Sequence, residues 1–205
     1  MSQTVTFDIW AWRDIMRVCG EAVSYDETRI MLQYVQIRCD NNHFTATGTN
    51  GCLVATLEGE CVMSEKDLPF TVLIPPRKAP AKTKAVELHA NTQEDKYMIT
   101  HTLYFRDKDG NLIDTCTEDI HFGDYVDIDF IVKMAQKNIN DINYGEGQYM
   151  IAVNPKYLLA ALGGMKECSS VIINFASPVQ PFLIRPYDND HEQDRSAWVY
   201  PVRIR

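Results

Sequence analysis

Apolar and polar positions alternate over several stretches of this chain and switch to helical spacing over others, and that pattern predicts its elements. Thr4–Ile9 alternates as a strand. Asp8 is placed to cap a helix from about Trp10 to Val23, with Ala11, Ile15, Val18, Cys19 and Ala22 on its apolar face and Arg13 and Arg17 one turn apart on another. Arg29–Asp40 then reads as a long strand, Asn41-Asn42 as a turn, His43–Thr49 as a second strand and Leu53–Val62 as a third. Val86–Ala90, Lys96–Arg106 and Leu112–Ile120 read as further strands, the last two joined by a hairpin turn at Asp107–Asn111. Asp129–Asn138 has helical spacing, with Ile131, Val132 and Ala135 on one side, and Asn140–Gly147 is a polar loop.

The C-terminal stretch repeats the opening plan. Tyr149–Val153 is an apolar run of strand character. Asn154-Pro155 then pairs a good N-cap with the residue best tolerated at the first helical position. Leu158, Leu159, Leu162 and Met165 form a stripe through Asn154–Lys166, and Gly163-Gly164 weakens its last turn. Three strands follow: Val171–Phe175, Phe182–Arg185 and Trp198–Ile204. Both ends of the chain thus read strand-helix-strand-strand-strand, without a residue-level repeat. The fold class expected is α+β and β-dominated, with antiparallel sheets and few helices.

Composition narrows the class. With 205 residues the chain can bury a core as one large domain or two small ones, and 45% hydrophobic with 23% charged residues is ordinary for a globular protein. No apolar run approaches membrane-spanning length and Met1-Ser2-Gln3-Thr4 lacks a signal-peptide pattern, so a cytoplasmic protein is expected. The six cysteines, Cys19, Cys39, Cys52, Cys61, Cys116 and Cys168, include no Cys-x-x-Cys pair and read as reduced thiols packed as small hydrophobes. His89, His101 and His121 lack tight metal spacing. Asp107–Asn111 has its glycine too early for a calcium loop and no closing glutamate. No nucleophile elbow, P-loop, dinucleotide fingerprint or His-Glu-x-x-His pair is present, so neither an enzyme nor a cofactor or metal is expected. A net charge of −8 excludes a protein uniformly coated for nucleic acid, but only the local face matters to a DNA backbone, because charge acts over about a Debye length.

Four segments carry a resemblance to a known family. Asn154-Pro155-Lys156-Tyr157-Leu158-Leu159 and Trp198-Val199-Tyr200-Pro201-Val202-Arg203, in that order at the chain end, resemble the last domain of the bacterial beta sliding clamp, the DNA polymerase processivity factor. There an Asn-containing helix start precedes a Tyr-Leu-Leu-like run, and the strands end in an aromatic-Val-x-Pro-x-Arg tail. Thr49-Asn50-Gly51-Cys52-Leu53-Val54-Ala55 resembles the family's Thr-Asp-Gly-His-Arg-Leu-Ala-like turn, keeping Thr49, Gly51 and Ala55 and departing at Asn50, Cys52 and Leu53. Taken alone it is also an ordinary Asn-Gly hairpin turn. Pro69–Lys78 resembles the family's next strand and its Pro-Arg-Lys-like end, although Pro76 and Pro80 leave little room for the helix that should follow. Gly123–Ile128 resembles the connection between the family's second and third domains, without its proline.

The resemblance implies a sliding-clamp-like processivity factor. It would form a homo-oligomeric ring around double-stranded DNA without reading sequence, and dock a DNA polymerase or other replication protein through a C-terminal peptide pocket. The DNA-facing candidates are Arg13, Arg17, Lys156 and Lys166, with Arg77, Lys78 and Lys82 as a second set in a basic loop that, taken alone, reads first as a solvated linker. The pocket candidates are Thr49, Val54, Tyr200, Pro201, Val202 and Arg203. A non-encircling adaptor or decoy that binds clamp-interacting peptides is the alternative. The implied division is 1–128 and an abbreviated 129–205. Its rival joins 1–62 with 148–205 around a mainly β insertion.

Overall fold

The alternation of Gln3, Val5 and Phe7 buries one face of β1 (Ser2–Asp8), and the chain passes directly into α1 (Ile9–Val18). Asp8 makes that transition: its carboxylate accepts the N–H groups of Trp10 and Ala11 at 2.7 and 2.8 Å, two of the donors a helix start leaves without partners. The computed structural model describes residues 2–64, 68–92, 98–121, 151–187 and 195–202. The expected helix at 129–138, the loop at 140–147 and the connection at 123–128 lie outside those residues.

After α1 come β2 (Val35–Asp40), β3 (His43–Thr49), β4 (Leu53–Glu60), β5 (Val62–Met63), β6 (Phe70–Ile74), β7 (Ala85–Thr92), β8 (Met98–Arg106) and β9 (Leu112–His121). Then follow α2 (Pro155–Gly163), β10 (Val171–Asn174), β11 (Phe182–Pro186) and β12 (Arg195–Val199). Among the described residues one sheet has five strands in the order β5-β1-β7-β8-β9 and the other seven, β10-β11-β12-β4-β3-β2-β6. Every pairing in both is antiparallel. The fold is therefore β-dominated α+β, with two α-helices among the described residues.

The two sheets share one core with α1. Phe7 of the five-stranded sheet meets Phe44 of the seven-stranded sheet edge to face, ring centres 5.4 Å apart, and Trp12 of α1 reaches Phe105 of β8 at 6.2 Å. The expected apolar face of the first helix is all inside: Ala11, Ile15, Val18, Cys19 and Ala22 are buried. The α-helix is shorter than expected, ending at Val18 and tightening into a 3-10 turn at Gly20–Ala22 that still packs inward.

Other boundaries differ for identifiable reasons. The first part of Arg29–Asp40 is a 3-10 turn, Ile30–Gln33, because Asp26 and Ser24 engage their own neighbourhood: Asp26 accepts from Thr28 and Ser24 Oγ from the Asp26 N–H. Leu53–Val62 breaks at Cys61, where Asn42 captures the chain. Its carbonyl accepts the Cys61 N–H and its side chain the Met63 N–H, so Val62–Met63 leaves β4 and pairs with β1 instead. In the second helix Leu158 and Leu162 pack against the core and Met165 is buried, as the stripe predicts, while its fourth member, Leu159, faces solvent. Residues 151–153 form no strand, although Ala152 accepts a backbone bond from Val202 at 2.8 Å. The last strand begins at Arg195 and ends at Val199, where its partner β4 begins with Leu53.

Asn41 and Asn42 both take left-handed backbone, φ 49° and 63°, as a tight hairpin between right-twisted strands requires. Asp107 accepts the Asn111 side-chain amide at 3.1 Å and the N–H groups of Asn111 and Asp109, which closes the β8–β9 hairpin and holds its carboxyl below the usual range. All six cysteines are free thiols, with Cys19, Cys39 and Cys61 buried. No helix among the described residues is long and apolar enough to cross a membrane.

Candidate functional site

Two surfaces gather the candidate residues. The first is built where β4 leaves its turn and β12 runs beside it. Thr49 and Asn50 organise that turn: Thr49 Oγ1 donates to the Leu53 carbonyl at 2.8 Å and accepts the Gly51 N–H, and Asn50 Oδ1 accepts both the Cys52 and Leu53 N–H groups at 2.9 Å. Gly51 sits at φ +87°, a backbone region that a side chain would strain. The ladder sets Trp198 opposite Val54 and Val199 opposite Leu53, and the Tyr200 N–H continues it onto the Cys52 carbonyl at 3.0 Å.

The turn and the end of the chain, 140 residues apart at the Thr56–Ser196 hydrogen bond, are thus neighbours. Thr49 and Val54 are themselves buried, holding the turn and the sheet together. The side chains that reach solvent there are Cys52, Tyr200 and Pro201, half-buried, and Val202, which is 49% exposed. Arg203 lies outside the described residues.

Three residues outside the pocket candidates complete this cluster: Arg29, Leu32 and Tyr157. The Cys52 thiol and the Tyr157 hydroxyl are close enough that the sulfur, then burial, pushes the Tyr157 phenol above its usual range, with Arg29 opposing. Burial and the same sulfur raise Tyr200. Arg29 donates to the Asn50 carbonyl at 3.3 Å, and with Leu32 it flanks Gly51. The available signal was the Tyr-Leu-Leu-like run itself, since Tyr157 opens α2, which packs against β4 and β12.

The second surface follows α1. Arg13 is exposed, its guanidinium 5.3 Å from the centre of the Trp10 ring. Arg17 is only 16% exposed at its side chain and pairs with Asp14 and, at 3.2 Å, with Glu167. Asp14 also accepts from the buried Arg195 at 2.8 Å. Lys166 is exposed beside Glu167, and Lys156 is exposed at the start of α2.

The basic loop between β6 and β7 is stitched to α1 rather than hanging free. The Trp12 indole donates to the Arg77 carbonyl at 3.1 Å, and the Ile9 N–H donates to the Lys84 carbonyl at 3.0 Å. Arg77 turns toward β9, 3.5 Å from Asp114 and 2.9 Å from the Cys116 sulfur. Lys78 and Lys82 are exposed, Lys82 at φ +69°, and no helix forms at 75–84.

No protein-family model matches this chain, and no curated protein matches it in sequence. Solved structures do match in fold. The DNA polymerase III beta chain of Streptococcus pneumoniae superposes with a TM-score of 0.69 at 18% identity, covering 100% of this chain and 66% of its own. The beta subunit of Streptococcus pyogenes DNA polymerase gives 0.65 at 18% identity, covering 97% and 65%. The DNA polymerase sliding clamp of Bacillus subtilis gives 0.66 at 17% identity, covering 98% and 64%. This chain, almost end to end, therefore has the fold of the bacterial DNA polymerase III beta sliding clamps over about 66% of their length.

Proposed function

We propose that the protein is a sliding-clamp-like processivity factor: a homo-oligomer that encircles duplex DNA and docks a replication protein on the surface around Cys52, Tyr200, Pro201 and Val202. The role is one of binding, with no chemical step. What carries the reading is the fold likeness across 97–100% of the chain to three bacterial clamps. It is supported by the way β12 brings the C-terminal segment against the turn that opens β4. On this reading Arg13, Lys78 and Lys82 face the phosphates, with Lys156, Lys166, Arg77 and Arg17 at the margin, and the chain divides into units 1–128 and 129–205.

A second reading, a non-encircling adaptor with the same peptide surface, is favoured by one observation. Arg17, Arg77 and Arg195 are each engaged by carboxylates of this chain, which leaves fewer cations for DNA. One preparation tests both. Light scattering should give an absolute mass of a closed oligomer, and the protein should be retained on circular duplex DNA and lost when the circle is cut. A monomer that never stays on circles but still binds a partner peptide makes the protein the adaptor. In either case Val202→Asp, at a half-exposed position, should leave the fold and mass intact and weaken binding of an apolar partner peptide by about tenfold or more, the loss of one buried aliphatic anchor.

A further inference from the structure

Trp10 is the feature of the α1 surface that duplex binding does not use. The chain has three tryptophans. Trp12 and Trp198 are buried at 0% and 2%, whereas Trp10 is 69% exposed, with the Arg13 guanidinium at one face of its ring. Arg13 and the lysines of the adjoining loop carry no ion pair: among the described residues no carboxylate pairs with Arg13, Lys78, Lys82 or Lys84. The two carboxylates of this stretch of helix are engaged, Asp8 by the helix N–H groups and Asp14 by Arg17 and Arg195. The backbone bonds of Ile9 to Lys84 and of Trp12 to Arg77 hold the loop of lysines against the turn that carries Trp10.

An exposed aromatic ring stacked with Arg13, on a helix turn tied to a lysine-bearing loop, fits a strand that offers both phosphates and unstacked bases. A duplex offers only the first, since its base faces are covered by stacking. We propose that the Trp10–Arg13 corner, with Lys78, Lys82 and Lys84, is a contact site for single-stranded DNA, in which one unpaired base stacks on the Trp10 indole. The proposal rests on the reading of α1 as a DNA-facing surface and adds to it a preference for an unpaired strand. It gives the corner a job wherever duplex gives way to single strand.

The test uses the full chain and an oligo(dT) of about 20 nucleotides, long enough to cover one such site. Because Trp10 is the accessible tryptophan, stacking should quench the intrinsic fluorescence. Trp10→Ala should weaken binding of the labelled oligonucleotide about tenfold, Trp10→Phe should retain most of it, and neither should change retention on circular duplex. The proposal is overturned by saturating binding without quenching, by an unchanged oligonucleotide affinity in Trp10→Ala, or by an equal loss of duplex retention, which would assign Trp10 to the duplex. Oligonucleotide binding that persists in a protein never retained on circles leaves the single-strand site standing and removes only the encircling function.

Discussion

Along β8, His101, Leu103 and Phe105 turn the same face inward, and the histidine is the one member of that row with no apolar claim to be there. It is 1% exposed, and among the described residues neither ring nitrogen has a hydrogen-bond partner. Burial pushes its pKa down to about 4, against a smaller opposing pull from Asp119, so the folded protein holds it neutral. A histidine whose folded pKa is below its unfolded value of about 6.5 binds fewer protons folded than unfolded. The pH-dependent part of its burial cost is therefore small well above about pH 6.5, and stability falls as the pH drops toward 4. Between about pH 7.5 and about pH 4.5 that loss is roughly 2.5 kcal/mol. Urea denaturation at those two pH values should show His101→Leu losing less stability than the parent by about that amount, and an identical acid loss in both would remove His101 as its source. Nothing local in the sequence marks this residue. The buried Arg195 was equally hidden, because its partner Asp14 is 181 positions away.

At the scale of elements, what was local was legible. His43–Thr49 has the bounds its alternation predicts, and Asn41-Asn42 supplies the left-handed pair its hairpin needs. Asp8 and Asn154 cap the helices they were expected to cap, since a cap needs only the next three residues. The elements misjudged were those whose ends depend on something outside them, such as Asn42 pulling Cys61 and Met63 away from β4. Gly48 is another such dependence. It read as one residue within a strand, yet a Cβ there would lie 2.0 Å from the Cys19 carbonyl oxygen, so α1 can end against β3 only because this position has no side chain. Gly48→Ala should accordingly cost about 3 kcal/mol or more, from overpacking against backbone that cannot rotate away. A denaturation midpoint equal to that of the parent would mean that the end of α1 is not seated on β3 in this way.

At the scale of the molecule, the sequence revealed the order of elements at both ends, except for the strand expected before α2, but not how the ends join. The family resemblance carried the turn at Thr49 and the tail at Tyr200 as two walls of one site, while the pairing of β12 with β4 makes one sheet out of strands from both ends of the chain. No periodicity encodes which edge meets which. The closure is reinforced by charge: Asp14 on α1 accepts from Arg17 and from the buried Arg195 of β12, and Glu167 beyond α2 lies 3.2 Å from Arg17 and 3.9 Å from Arg195. Removing Asp14 leaves a buried guanidinium with one distant carboxylate, and breaking a buried pair costs roughly 3–5 kcal/mol, here toward the low end because Glu167 remains. Since helix, strand and shared core are bound at this point, the loss should appear as a loss for the whole chain. Asp14→Ala is expected to shift a single urea transition to lower concentration, alike by tryptophan fluorescence and by far-ultraviolet circular dichroism. Two separated transitions, with only one moved by the substitution, would show instead that the ends of the chain and the strands between them fold as independent units and that the network staples only one of them.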